Sequence, residues 1–311
     1  MKIGISTCLL GEKVRYDGGH KLDRYLRDIL GKYVSYVPVC PETESGLPTP
    51  REAMRLVGPE DNPRLVTIKT NIDHTLRLKT WAKEKLDQLE KQDLSGFVFK
   101  SKSPSSGMER VKIYNEKGNP APKGRGIFAG MFIDRFPLTP VEEDGRLNDP
   151  MLRENFITRI FVFNRWRELS GKKFNSAALV DFHTRHKLLV MAHDVEAYRQ
   201  LGRMVARAGE FSRELAEEYA TRLMSALRRS STVKKNTNVL QHVMGYFKKQ
   251  LTRDEKQELL EVIKSYADHE VPIIVPVTLL NHYVRKYGQP YLKDQVYLNP
   301  HPRELKLRNH V

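Results

Sequence analysis

The sequence predicts an α/β N-terminal domain with a mostly parallel sheet, followed by an all-α helical C-terminal domain. Two patterns predict this arrangement. Short β-rich runs alternate with helical patterns in the first half of the chain, whereas the apolar spacing of the second half is helical almost throughout. The length of 311 residues also suits two domains, each with its own core.

The first half contains four runs that are typical of strands, at residues 2–6, 34–39, 65–69 and 96–100. Between the last two, apolar residues from Leu78 to Leu89 recur at helical spacing. This pattern predicts a helix that crosses from one strand to the next. Such a crossover joins parallel strands.

The second half follows a break at residues 137–150, where proline, glycine and acidic residues gather. We therefore predict an N-terminal domain at residues 1–148, a connecting helix at 149–168 and a helical domain at 169–311. Thr252 and Glu255 fit a capping box, and the tail from residue 292 is expected to be extended. The predicted helices lie at residues 152–169, 178–193, 195–207, 211–228, 239–250, 252–268 and 277–287.

The net charge of +15 lies mostly in the second half. Residues 1–150 contain 25 Lys and Arg against 21 Asp and Glu, whereas residues 151–311 contain 28 against 17. A basic excess gathered in one half is typical of proteins that bind nucleic acid. An acidic protein partner or a need for solubility would explain the same excess.

The composition is that of an ordinary globular protein, with 40% hydrophobic and 29% charged residues. No run resembles a secretory signal, and the longest apolar run, residues 271–280, is interrupted by two prolines and is about half a membrane span. We expect a cytoplasmic protein. The oligomeric state is left open.

Three loops follow directly on predicted strands: residues 7–11, 40–46 and 101–107. Because the carboxyl ends of parallel strands form the ligand crevice of an open sheet, these loops are expected to converge. Cys8 and Cys40, the two cysteines of the chain, lie in two of them. Residue chemistry alone leaves both as buried apolar side chains, metal ligands or nucleophiles, and the spacing is not that of a zinc site.

Several short runs resemble the thiouracil-desulfidase (TudS-like) family. The N-terminal runs are ISTCLLG at 5–11, VRYDGG at 14–19, VCPE at 39–42 and FKSKSPS at 99–105. Runs in the second half resemble the YbgA-like domain that is found fused to such enzymes, namely NVLQH at 238–242 and GYFKK at 245–249. The fused architecture is similar to that of tRNA 4-thiouridine desulfidases, which implies hydrolytic removal of sulfur from thiolated uridine in tRNA.

The resemblance implies a 4Fe-4S cluster that is held by three cysteines and has one open iron to accept the sulfur. Cys8 and Cys40 match two of these ligands, and Ser106 stands where the third cysteine is expected. A serine hydroxyl is a poor replacement for a thiolate, so we expect this chain to lack activity. An introduced Cys→Ser substitution is favoured over natural loss because the other motif residues are intact.

Three more residues of these loops are candidate catalytic groups. Glu42 lies two residues after Cys40 and is the candidate to activate water, with a loop cap or salt bridge as the alternative. Ser101 and Ser103 are candidates to bind the pyrimidine edge, with ordinary turn chemistry as the alternative.

Basic and aromatic residues of the second half are candidate tRNA contacts. His242, Tyr246 and Lys249 share one helical stripe, which suits phosphate contact combined with base stacking. A solvated helix face is the alternative. The full predicted set is Arg185, Lys187, Lys234, Lys235, His242, Tyr246, Lys248 and Lys249.

Two other functions remain open at this point. One is a non-catalytic RNA-binding or repair-associated module, in which the N-terminal crevice is only structural. The other is a desulfidase of free thiouracil, in which the basic domain serves another purpose.

Overall fold

Strands and helices alternate up to Asp149 in the structure, a computed structural model that describes residues 1–115, 117–171, 174–207 and 212–310. The first unit, Met1–Asp149, is compact by itself. Its elements in chain order are β1 (Lys2–Ser6), β2 (Ser35–Val39), α1 (Pro41–Glu44), β3 (Met54–Val57), β4 (Arg64–Thr67), α2 (Thr75–Glu90), β5 (Leu94–Phe99), β6 (Val111–Tyr114), β7 (Pro120–Gly124), α3 (Ile127–Arg135) and β8 (Val141–Glu143).

The central sheet has the strand order β2-β1-β5-β8, and every pair in it is parallel. This confirms the predicted α/β class. Phe97 and Phe99 of β5 pack against Phe128 and Phe132 of α3 in an aromatic core. A Cβ atom at Gly4 would lie 2.2 Å from the Phe97 ring, so glycine is required there.

A second sheet has the order β4-β3-β6-β7. The strand predicted at residues 65–69 is β4, which pairs antiparallel with β3 and is not part of the parallel sheet. The prediction was therefore wrong about its place. The sequence patterns did not predict β3, β6, β7 and β8, because strands of three to five residues carry too short a pattern. They did not predict α3 either.

The second compact unit is Pro150–Val311, and its described residues are largely helical, as predicted. None of the described helices is both long enough and apolar enough to cross a membrane. The elements in chain order are α4 (Pro150–Ser170), α5 (Ser176–His193), α6 (Val195–Ala206), α7 (Arg213–Arg228), α8 (Val233–Gly245), α9 (Arg253–Ala267), α10 (Ile274–Lys286) and α11 (Pro290–Lys293).

The bounds of two predicted helices need comment. The helix predicted at 239–250 is α8, which begins six residues earlier because the side chain of Thr232 caps it by accepting from the Lys235 amide, and which ends at Gly245. The helix predicted from Phe211 is α7, and Phe211 itself lies outside the described residues. The capping box of Thr252 and Glu255 is confirmed.

The C-terminal tail packs against the helices of its unit. Tyr297, Leu298, Leu305 and Leu307 are buried. Arg308 accepts a backbone hydrogen bond from Ile274. The tail is therefore part of the core of the helical unit.

Candidate functional site

A crevice of about 290 Å³ lies at the carboxyl ends of β1, β2 and β5. The three loops that follow these strands converge there, as parallel topology requires. Six of the candidate residues line it, namely Cys8, Cys40, Glu42, Ser101, Ser103 and Ser106.

Cys8 lies in a short 3₁₀ turn directly after β1. The turn ends at Gly11, whose φ of 102° is a backbone conformation that favours glycine. Burial, and then the neighbouring Cys40 thiol, raise the pKa of Cys8 to about 11, against the opposing effect of Lys100 and Arg15. The Cys8 thiol is therefore protonated near neutral pH and must lose its proton to bind a metal.

Cys40 lies directly after β2 and is the N-cap residue of the short helix α1. Its backbone amide donates a hydrogen bond of 2.7 Å to Glu44 Oε1. Glu44 in turn forms an ion pair with Lys85, which lies on α2. These contacts hold the Cys40 loop against α2.

Ser106 lies in the third loop and is only 4% exposed. Its amide donates to Ser103 Oγ at 3.1 Å, and the Gly107 amide donates to the Ser103 carbonyl at 2.7 Å. The loop passes close to Gly126, where a Cβ atom would lie 2.7 Å from the Ser106 amide nitrogen. The start of α3 therefore fixes the position of the Ser106 backbone in the crevice.

Glu42 forms an ion pair with Arg51, and both side chains are largely buried. Arg51 Nη2 also donates to the Val14 carbonyl at 3.0 Å, and Ser105 Oγ donates to Glu42 Oε1 at 2.7 Å. The pair therefore ties the second and third loops to the segment that follows the first loop. A positioning role for Glu42 follows directly from these contacts, whereas its role as a base remains a proposal.

Ser101 lies beside a second ion pair, that of Lys100 with Asp144. Lys100 Nζ donates to Ser101 Oγ at 2.9 Å, and the Ser101 amide donates to Asp144 Oδ1 at 2.7 Å. Because Ser101 Oγ accepts from Lys100, its own proton is left to donate.

The hydroxyl protons of Ser103 and Ser105 are already donated in hydrogen bonds. Ser105 donates to Glu42, so Ser103 must be the donor in the 3.0 Å contact between Ser103 Oγ and Ser105 Oγ. Of the two predicted contacts to a pyrimidine edge, Ser101 is thus the better donor.

The remaining wall of the crevice is basic and aromatic. The Arg15 guanidinium lies 5.5 Å from the centre of the Tyr16 ring, and Tyr16 is 43% exposed. Lys21 and Lys102 also line the wall, and Glu42 is the one acidic residue among the described lining residues. The crevice therefore suits a ligand with negative charge beside a flat ring.

The donors in this crevice do not fit a cluster that is held by three cysteine thiolates. The chain has two cysteines, and the third position holds the buried hydroxyl of Ser106. Within the described residues, no group of three His, Cys, Asp or Glu is placed to hold a metal ion. Two thiols and a hydroxyl are a weaker and less soft donor set.

The predicted tRNA contacts do not form one continuous group. Tyr246 stacks on Tyr291 at 4.9 Å, and His242 meets the Tyr246 ring edge at 5.6 Å. Lys187 Nζ lies 5.1 Å from the centre of the Tyr291 ring. Arg185 is exposed and pairs with Asp181.

The four lysines of α8 and the turns after it lie in three environments. Lys234 is exposed at the start of α8, whereas Lys235 Nζ donates to the His193 carbonyl at 2.7 Å and so caps the end of α5. Lys248 and Lys249 are exposed beyond the other end of α8. Lys235 is thus engaged in a structural contact.

The sequence analysis missed Arg51, Ser105, Lys100 and Asp144 as functional residues. Lys100 and Ser105 lie in the run at 99–105 that the family resemblance had already marked, which was a usable signal. Asp144 lies 44 residues from Lys100, and no local pattern predicts that contact.

Comparisons with known proteins cover both units. Residues 3–144 match the family model described as 2-thiouracil desulfurase, and residues 187–302 match the model described as Protein of unknown function (DUF1722). The chain is 32% identical over 158 residues to YbgA of Escherichia coli (strain K12), which covers 50% of this chain and 94% of YbgA.

Two further similarities involve about a third to a half of the chain. It is 28% identical over 108 residues to YbbK of Bacillus subtilis (strain 168), covering 33% of this chain and 71% of YbbK. A solved structure of the 4Fe-4S-dependent thiouracil desulfidase TudS is 29% identical and covers 47% of this chain and 93% of that one, with a TM-score of 0.39.

Proposed function

The chain belongs to the family of Escherichia coli YbgA, and we propose that it is a desulfidase-type protein whose N-terminal crevice accepts a thiolated uracil base of tRNA, 4-thiouridine. The observation that carries the proposal is the convergence of Cys8, Cys40 and Ser106 in one crevice at the carboxyl end of the parallel sheet. The match of residues 3–144 to the 2-thiouracil desulfurase model supports it.

The charges of the crevice favour a nucleotide over a free base. Lys21, Lys102 and Arg15 suit the phosphates that flank a base, and the exposed ring of Tyr16 suits stacking against it. A base in folded tRNA must leave its stack to enter such a site. The charge excess of the second half supports a role in holding the RNA.

The surface that we propose for RNA contact on the second unit consists of Lys187, His242, Tyr246, Lys248 and Lys249. These residues combine exposed positive charge with a stacked aromatic pair. Arg185 extends the charge of this surface and Lys234 is a more distant candidate.

In this form the chain is proposed to bind thiolated RNA without removing the sulfur. Ser106 leaves the crevice one thiolate short of the three-cysteine set, and a protonated hydroxyl binds iron poorly. Ser101 is proposed to donate to the pyrimidine edge, and Glu42 to accept a proton from water once a competent site is restored.

Near-ultraviolet crosslinking tests where the base binds, because the 4-thiouracil base of 4-thiouridine is itself photoreactive. Irradiation of the full chain with thiolated tRNA, followed by peptide mapping, is expected to give crosslinks in residues 7–21, 40–51 or 100–107. Crosslinks that map only to the second unit would contradict the proposal.

Salt dependence separates tRNA from a free base. Binding of tRNA through several phosphates is expected to weaken steeply as salt rises, whereas binding of free 4-thiouracil would change little. If free thiouracil competes with thiolated tRNA at equal concentration, the nucleic acid is not the preferred ligand.

A further inference from the structure

The second unit contains a cleft of about 410 Å³ that the proposed function does not use. The start of α4, the α7–α8 link, the start of α8, the end of α9 and the C-terminal tail form its walls. It shares Met151, Glu154, Ser231, Asn236 and His310 with a smaller cavity of about 40 Å³. The two therefore form one recess within this unit.

The polar side chains of the cleft are mostly donors. Thr232 Oγ1 accepts from the Lys235 amide, so the hydroxyl proton of Thr232 remains to donate. Tyr266 contributes a phenol hydroxyl to the same lining. Ser231 adds a third hydroxyl, and Lys234 is exposed, with no ion pair to any residue of the described ranges.

The acceptors of the cleft are already engaged. Glu154 receives Arg308 Nε at 3.1 Å and faces His310 Nε2 at 3.6 Å, so its charge is compensated. Asn236 Oδ1 accepts from Tyr297 at 3.2 Å. With this carboxylate paired, Lys234 and His269 add to a wall that is rich in donors and poor in free acceptors. Such a wall selects a ligand with several acceptor oxygens and negative charge.

Part of the lining is apolar. Met151, Val271, Ile273 and the Tyr266 ring provide it. Burial raises the pKa of Tyr266 above its ordinary value. A ligand that satisfies both the donor-rich and the apolar residues of this lining carries an anionic group and an organic group.

We propose that this cleft binds a small phosphomonoester with an organic ring, of the size and chemistry of a nucleoside monophosphate. Lys234, Ser231 and Thr232 hold the phosphate, and the apolar residues of the lining hold the ring. The cleft is distinct from the RNA surface proposed above, since Tyr246 follows Lys234 by about 18 Å along the axis of α8 at 1.5 Å per residue.

Calorimetric titration of the full chain with adenosine 5′-monophosphate, adenosine and inorganic phosphate tests the proposal. The monophosphate is expected to bind at least about tenfold more tightly than adenosine, because charge-assisted hydrogen bonds contribute about this much. Lys234→Gln and Ser231→Ala are expected to weaken it, the first by about tenfold. Lys256→Gln, which removes an equal exposed charge near the start of α9, is expected to leave binding unchanged.

Three outcomes would overturn the proposal. One is equal affinity for adenosine and its monophosphate. Another is unchanged monophosphate binding in both Lys234→Gln and Ser231→Ala, which would place any binding elsewhere, including the basic N-terminal crevice. The third is binding through Lys234 of a 5′-phosphorylated RNA oligonucleotide but not of the free monophosphate, which would assign the phosphate group to an RNA end.

Discussion

At the scale of single residues, the ion pair of Arg51 and Glu42 is the contact on which the crevice depends most. The Arg51 side chain is 6% exposed and that of Glu42 14% exposed, and their other partners are Val14, after the first loop, and Ser105, in the third loop. When one member of a buried pair is removed, the other is left as an uncompensated charge, which costs far more than losing a surface pair.

Arg51→Gln is therefore expected to lower the free energy of unfolding by about 3 kcal/mol and to abolish crosslinking of thiolated tRNA in the crevice. Denaturant unfolding and the crosslinking assay measure the two effects. Arg135→Gln removes an exposed arginine paired with Glu90 and is the matched control, with an expected loss below about 1 kcal/mol. Equal losses in the two variants would show that the Arg51 pair has no special role.

Position at strand ends and the family resemblance marked the cysteines and Glu42 as candidates but did not indicate their partners. Cys8, Cys40 and Glu42 lie at strand ends, so the topology rule brought them together before any contact was known. The hydrogen bonds of Arg51, Ser105 and Asp144 join residues up to 63 positions apart, and no local pattern encodes such contacts.

At the scale of elements, the start of α3 controls the position of the Ser106 loop. Gly126 N donates to the Gly107 carbonyl at 2.8 Å, and a Cβ atom at Gly126 would lie 2.6 Å from the Ser105 carbonyl carbon. Backbone atoms cannot yield as a flexible side chain does, so a larger residue must displace the loop.

Gly126→Ala is expected to destabilise the first unit by about 1 to 3 kcal/mol and to prevent iron uptake when it is combined with Ser106→Cys. Gly130→Ala is the control within the same helix, since its Cβ atom would lie 3.8 Å from the nearest heavy atom, Arg125 Cβ. Alanine there is expected to be neutral or stabilising by up to about 1 kcal/mol. Normal iron uptake by the Gly126→Ala double variant would refute this role of α3.

Element prediction succeeded where the patterns were long. Helix α9 and its capping box follow from sequence, because fifteen residues carry several periods of the apolar repeat. The second sheet was missed because β7 contains two prolines within five residues and β3 has only four residues. The antiparallel pairing of β4 also depends on partners that the local sequence does not specify.

At the scale of the whole molecule, stability is expected to depend on buried neutral histidines. Burial lowers the pKa of His193 to about 4 from an ordinary value of 6.5, and its Nδ1 contacts the Arg229 carbonyl at 2.6 Å. Burial likewise lowers the pKa of His183 and His301 to about 4, and of His186 to about 3. All four lie in the helical unit.

The unfolded chain therefore binds protons at these sites more readily than the folded chain. Above pH 6.5 both states are neutral and the histidines add no pH dependence. As the pH falls from 6.5 towards 4, each buried histidine is expected to reduce the free energy of unfolding by about 1.4 kcal/mol per pH unit. Unfolding in urea at pH 7.5 and pH 5.5 measures the loss.

His193→Asn keeps a donor for the Arg229 carbonyl but cannot titrate, so its stability is expected to fall less steeply with pH. His242→Asn changes an exposed histidine and is expected to keep the steep slope of the parent chain. If the free energy of unfolding falls with pH as steeply in both variants as in the parent, protonation of His193 does not limit stability.

The candidate site and most of the basic charge lie in different parts of the chain. A thiol-bearing crevice lies in one unit, and the larger share of the basic excess lies in the other half of the chain. The charge balance of the halves was visible in the sequence, whereas the cleft at the start of α8 was not, because segments far apart in the chain build it.

Anaerobic reconstitution of Ser106→Cys beside the parent chain, with thiolated tRNA as substrate, tests the central claim most directly. Iron, sulfide and residual 4-thiouridine are measured for both proteins. Ser106→Cys is expected to take up iron and sulfide and to convert 4-thiouridine to uridine, while the parent does neither. A parent chain that removes the sulfur as fast as the variant, or a variant that binds a cluster yet leaves 4-thiouridine intact, would contradict it.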